Sequence, residues 1–479
     1  MLRGRNLQYE LSDRARGLDT GGIGVMHRVA LQAGLVEEID RRVSILKVHL
    51  PYHESDHVLN IAYNALCGGE CLEDIEWRRT NEVYLDALGA SRIPDPTTAG
   101  DFCRRFADSD IEDLMTAINE TRLRVWAQQP AEFLAEAIIE ADGAMAPTGG
   151  ECKEGMDVSY NGTWGYHLLV VSLANTAEPL FLVNRSGNRP SHEGAAERFD
   201  QSLALVRRAG FRKVTFRGDT DFSQTQHLDG WDDQGVRFIF GIDARPNLIE
   251  AAESLPRGAW GRLRRPPKYE IDTEERRRPD NVKDIKVIER DFQNIRLRSE
   301  DVASFRYTPV ACKKSYRIVV VRKNLSIEKG GLYLFDDIRY FFYITNDLDT
   351  PAADIVLDAN ARCNQENLIA QLRSVRATRV PVDTLLSNWA YMVMASLAWT
   401  LKAWFALLLP ERGRWREKYS QEKQEVLRME FRTFLNAFMR VPAQVVRTGR
   451  RIVFRLLSWN RWQHVFLRGA GSLAQPLRT

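Results

Sequence analysis

Two apolar runs in the middle of the chain each end on an aspartate, and this constrains the fold more than any other feature. Ala137-Ile138-Ile139-Glu140-Ala141 leads into Asp142-Gly143, and Val214-Thr215-Phe216-Arg217-Gly218 leads into Asp219. Runs this short, rich in branched residues and bounded by glycine, read as strands of a sheet. Similar runs cover residues 165–173, 179–184 and 236–242. Residues 194–209 are helix-like instead, with Ala195, Phe199, Leu203 and Val206 on one face. A third carboxylate, Glu366, lies in a helix-like stretch over residues 362–369.

Three neighbouring strands, a helix, then two more strands fit a mixed α/β sheet of the ribonuclease-H type. Two carboxylates on strand ends and one on a later helix can converge on one spot. Hard divalent cations take oxygen ligands, and Mg²⁺ needs only one or two carboxylates besides phosphate and water. A pair of such ions can clamp the attacking and leaving oxygens of an in-line displacement.

At 479 residues the chain is too long for one ordinary core. Residues 1–130 have helical spacing, carry no catalytic cluster and read as a binding or assembly region. The predicted catalytic core occupies 131–244 and resumes over 351–409, interrupted by a β-rich insertion over 245–350. Residues 410–479 form a basic C-terminal region. Net charge is only +3, yet Phe431 to Thr479 hold nine arginines and no acid. A basic end bearing aromatics suggests a polyanionic partner. Packed residues such as Phe431, Phe434, Phe438, Val445, Ile452 and Phe454 argue against a loose tail.

Six scattered cysteines show no disulfide framework, which favours a reducing compartment. His53, His57, Cys67 and Cys71 could be taken for a zinc set, but the spacing is not that of a finger, and one ordinary helix explains it better. Met1-Leu2-Arg3-Gly4-Arg5 shows no apolar signal region. Residues 385–409 are long and apolar enough to raise a membrane question. No second span accompanies them and charged regions flank them, so a buried core helix packed on the sheet is the favoured reading.

The order of these motifs resembles that of bacterial insertion-sequence transposases of the DDE class, in the IS4-like group and most of all the IS1380 family. The strand ending in Asp142-Gly143 and the run Arg217-Gly218-Asp219-Thr220-Asp221-Phe222-Ser223 match the first two acidic motifs. Tyr340-Phe341-Phe342-Tyr343-Ile344-Thr345-Asn346 matches the strand that follows the β insertion. Asn360, Arg362, Glu366 and Arg373 follow the family signature of tyrosine, arginine, glutamate and lysine. Ala359 stands at the tyrosine position and Arg373 at the lysine position. The segment 447–455 also looks like that family's.

The resemblance implies an enzyme that cuts DNA at transposon ends and transfers the freed strand into target DNA. Asp142, Asp219 and Glu366 would be its catalytic and metal-binding residues, holding two Mg²⁺ or Mn²⁺ ions. Asp221, two residues beyond Asp219, and Asp358 are the competing acids. Arg362, Arg373, Arg450, Arg451 and Arg455 would contact DNA, the guanidinium group matching phosphate geometry. Tyr160, Trp164, His167 and Trp260 could stack on a base, although strand packing is the plainer reading of each. The implied partners are terminal inverted repeats, target DNA and a second copy of the chain, with no membrane, in the bacterial cytoplasm at the nucleoid. Two other functions fit the same residues: a nuclease that cuts without joining, and an inactive, transposase-derived DNA-binding protein.

Overall fold

The computed structural model describes residues 16–49, 51–265, 280–448, 451–457 and 459–474. Its centre is a mixed sheet. Strands β1 (Glu136–Pro147), β2 (Trp164–Leu173) and β3 (Glu178–Ser186) run antiparallel, and β4 (Lys213–Gly218) and β5 (Arg237–Ile242) lie parallel to β1. Their spatial order is β3-β2-β1-β4-β5. Beyond β5 the sheet continues into a meander of β6 (Gln293–Tyr307), β7 (Tyr316–Lys329) and β8 (Leu332–Thr345). Only the end of β8 joins β5, through Phe342–Thr345 against Ile242–Ile239.

Alternation along the strands assigns each sheet face a job. Ile139, Phe216 and Phe238 are register partners on one face. There α1 (Ala195–Ala209) packs, its Phe199 ring 4.6 Å from Phe216 and 5.8 Å from Phe240. Gly210 ends this helix at φ 92°, a left-handed position that favours glycine. Glu140, Arg217 and Ile239 point to the opposite face, under α2 (Ala352–Asn360) and α3 (Cys363–Ser374).

The chain from Ala352 to Leu407 forms three helices, α2, α3 and α4 (Leu385–Leu407), of which α4 is the longest. Thr384 caps α4 by accepting from Ser387 N. By length and composition α4 could cross a membrane, yet its apolar window is wholly buried inside the chain. Trp389 and Trp399 donate from Nε1 to the carbonyls of Leu182 and Ala177, fastening α4 to β3 and its preceding turn. Trp404 reaches Glu178, which also accepts from Arg122, Trp126 and Thr176. Arg122 and Glu178 are both fully buried. This network ties the helix Asp108–Trp126 to β3 and α4, so the N-terminal helices share the sheet's core.

Two described segments near the start and end of the chain also meet. The two-residue strand Gly17–Leu18 pairs with Ala443–Thr448, which pairs with Arg451–Leu456. Phe431, Phe434, Phe438 and Val445 are buried as the sequence suggests, whereas Ile452 is 37% exposed and Phe454 only partly covered.

Candidate active site

β1 and β4 are adjacent and parallel, with Glu140 opposite Arg217. Two residues further on, Asp142 and Asp219 therefore emerge side by side. One nitrogen of Arg362, Nη1, lies 3.5 Å from Asp219 Oδ2 and 4.0 Å from Asp142 Oδ2. The same nitrogen is buried and has no hydrogen-bond partner. Glu366 joins Asp219 and Arg362 in lining a cleft of about 440 Å³, with Gly241, Ala359 and Asn360 also at its wall. The neighbouring Gln365 is buried, accepts from Ser172 Oγ and donates to Val170 O. These bonds fasten the start of α3 to β2 and leave exposed Glu366 facing outward.

Burial raises Asp142's pKa from 3.8 to about 6; Arg362 opposes this, and the charges of Asp219 and Glu366 add to it. Burial likewise raises Asp219, with Arg362 opposing and Asp221 adding. Both aspartates are thus pressed toward the protonated form by desolvation and mutual repulsion. All three side chains offer carboxylate oxygen, and no imidazole or thiol lines the cleft among the described residues. Such a donor set fits a hard divalent cation, whose charge would relieve the crowding.

The competing acids lie elsewhere. β4 ends at Gly218, so Asp219 begins a 3₁₀ turn and its Oδ1 accepts from Asp221 N. That turn breaks the alternation, and exposed Asp221 lines a separate hollow with His192, Gln224 and Arg245. Asp358 pairs with Arg237 at 2.9 Å. Arg362 precedes α3 as its N-cap and reaches the two aspartates. Arg373 is exposed further along α3 and is not among the cleft-lining residues. Arg451 and Arg455 are exposed, and no described carboxylate pairs with either. Arg450 lies outside the described residues. Of the aromatic candidates, Tyr160 is fully exposed, and Trp260 is covered by the Arg322 guanidinium 4.2 Å from its ring centroid.

Two contributors escape the sequence reading, and a third, named there only as a base-stacking candidate, has a different place. Glu140 and Arg217 form a buried ion pair at 2.6 Å directly beneath the aspartates. Arg217 Nη1 also donates to Asp358 O, which ties the pair to α2. The period of two from Glu140 to Asp142 and from Arg217 to Asp219 was the available signal. His167 is the third: its Nε2 sits so close to Gly143 that a Cβ there would come within 2.6 Å. A side chain at position 143 would therefore have to displace the His167 ring, whose Nδ1 is held by Arg189 O.

A parallel strand pair carrying two aspartates, with a glutamate delivered by a later helix, defines a carboxylate-centred α/β protein. The family model described as Transposase DDE domain group 1 matches residues 18–477. The chain belongs to this family of DNA transposases. No curated relative matches it. Among solved structures, a piggyBac transposase synaptic complex with hairpin DNA aligns at 10% identity and a TM-score of 0.36, covering 89% of this chain and 84% of that one.

Proposed function

We propose that the chain cuts DNA at transposon ends and joins the freed 3′ end to target DNA, as a DDE transposase of the IS4-like group and the IS1380 family. The observation that carries this reading is that Asp219 and Glu366 line one cleft with Arg362, whose Nη1 also reaches Asp142 on the neighbouring strand. The strand order β3-β2-β1-β4-β5 supports a ribonuclease-H-type core, with the β6–β8 meander as its insertion. The N-terminal helices and the arginine-rich end would serve DNA binding and assembly.

Two Mg²⁺ or Mn²⁺ ions, when bound, would supply Lewis-acid stabilisation of the attacking and leaving oxygens. Asp142, which lies within β1 and not at its end as the sequence suggests, and Asp219, just past the end of β4, would hold that position, and Glu366 would complete it from α3. The Glu140–Arg217 pair fixes the two strands at the level below. Arg362, released from the aspartates, is placed to bind a DNA phosphate. Arg373, Arg450, Arg451 and Arg455 would extend phosphate binding along the duplex. The first reaction breaks a phosphodiester with water and leaves a 3′-hydroxyl; in the second that hydroxyl attacks a target phosphodiester. Handling two ends together calls for a homodimer, and the DNA substrate places the protein in the bacterial cytoplasm at the nucleoid.

The test uses the full chain, DNA carrying the element's terminal inverted repeats, and a supercoiled target with Mg²⁺. Joined products are expected. Cut ends without joined product would support the nuclease reading instead. Binding without cutting would support an inactive DNA-binding protein.

A further inference from the structure

A second group of metal-ligand side chains lies far along the chain from the carboxylate cleft, where the loop after Leu35–Arg42 meets the helix Glu54–Leu66. One donor atom from each of His49, His53 and Glu54 lies within 4.8 Å of the others. Glu54 is 1% exposed although it carries a carboxylate. Its Oε1 accepts from the backbone amides of Ile45 and Leu46, each at 3.1 Å. Its Oε2 lies 3.3 Å from His49 Nδ1. The rings of His49 and His53 lie nearly parallel, 17° apart in plane, with centroids at 5.8 Å, and both residues are exposed.

We propose that His49, His53 and Glu54 form a structural binding site for a borderline divalent transition ion, Zn²⁺ being the best match. Imidazole nitrogen with one carboxylate oxygen is a Zn²⁺ donor set, whereas the all-oxygen cleft suits Mg²⁺. A buried carboxylate needs a compensating charge. Two amides fix Glu54 by one oxygen, so the other is held ready as a ligand, the arrangement by which outer partners orient metal ligands. Tetrahedral ligands at about 2.0–2.1 Å from zinc stand closer than this trio does, and the exposed imidazoles can close the gap by side-chain rotation. Water completes the fourth position. The ion would clip the loop to the first turn of the helix and stiffen the groove beside it, lined by Leu46, Lys47, Tyr52, His57, Phe102 and Arg105. His57, paired with His53 by sequence spacing, takes no part: it is buried and stacked on Phe102 at 4.3 Å.

The experiment uses full-length protein carrying Asp142→Asn and Asp219→Asn, so that the carboxylate cleft contributes little. After chelator treatment, Zn²⁺ is added, excess is removed by gel filtration, and bound metal and melting temperature are measured. Co²⁺ is substituted in parallel and its visible absorption recorded. One equivalent of Zn²⁺, a rise in melting temperature and a Co²⁺ spectrum of low coordination number are expected. His49→Ala with His53→Ala should remove all three, and both positions are exposed, so the variant should fold. Glu54→Gln still accepts the two amides but loses the anionic ligand, and should weaken Zn²⁺ binding by more than the roughly 10-fold that loss of an outer partner costs. Zinc content unchanged in the double histidine variant, or no retained zinc in the folded parent, would overturn the site and leave a plain His49–Glu54 ion pair.

Discussion

Asp142 concentrates the conflict between stability and chemistry at a single residue. Its pKa in the folded chain, about 6, exceeds the ordinary 3.8. The folded state therefore keeps a proton that the unfolded chain loses between those values. This group's contribution is fully present below pH 3.8 and is lost as pH rises through about 6, a difference on the order of 3 kcal/mol. Without divalent ions, Asp142→Asn should thus raise the melting temperature at pH 7 and have little effect near pH 4; a lower melting temperature at pH 7 would contradict this. The Glu140–Arg217 pair makes a second prediction. Glu140→Gln leaves Arg217 buried beside a neutral partner and should cost about 3–5 kcal/mol in denaturant unfolding. Glu140→Gln with Arg217→Met should cost less than Glu140→Gln alone. Asp142, Asp219 and Glu366 were legible as candidates from aspartates following apolar runs and a helix pattern, although β1 continues past Asp142 to Pro147. Glu140 and Arg217 were not, because a charged residue in an apolar run carries no sign that its partner sits directly across the sheet.

At the scale of elements, the five core strands were readable from apolar runs bounded by glycine and polar residues. The break at Ala361 and Arg362 was not, since the sequence keeps helical composition there, whereas Pro381 and the cap Thr384 mark the second break before α4. Arg362 falls in the first of these breaks, and that is why it addresses the aspartates and not its own helix. The long apolar α4 is explained by burial from both sides: β3 covers one flank and the N-terminal helices another. The expected outcome is that the expressed chain stays in the supernatant after ultracentrifugation without detergent. Recovery of folded protein only with detergent would contradict the packing. Glu178 is the polar anchor of this layer, so Glu178→Gln, which leaves Arg122 uncompensated at zero exposure, should lower stability by roughly 3–5 kcal/mol.

Across the whole molecule, the sequence did not reveal that segments near the start and end of the chain build one small sheet, because a two-residue strand has no pattern of its own. It did reveal the arginine excess, and Arg451 and Arg455 remain without a described carboxylate partner, whereas Arg468 pairs with Glu422 at 2.7 Å. Neutralising Arg450, Arg451 and Arg455 together should weaken binding to all DNA sequences alike. Each lost phosphate contact should flatten the log–log salt dependence by roughly 0.9. An unchanged slope with a lower melting temperature would make the region architectural. The central claim, that Asp142, Asp219 and Glu366 act together on DNA, is tested most directly by comparing Asp219→Asn with Asp221→Asn. Cleavage of transposon-end DNA in Mg²⁺ and affinity for the same DNA are measured on both. The account predicts that Asp219→Asn loses at least about 10³-fold in cleavage rate with affinity retained, and that Asp221→Asn stays within a few-fold of the parent. Cleavage that survives Asp219→Asn and disappears with Asp221→Asn would contradict it.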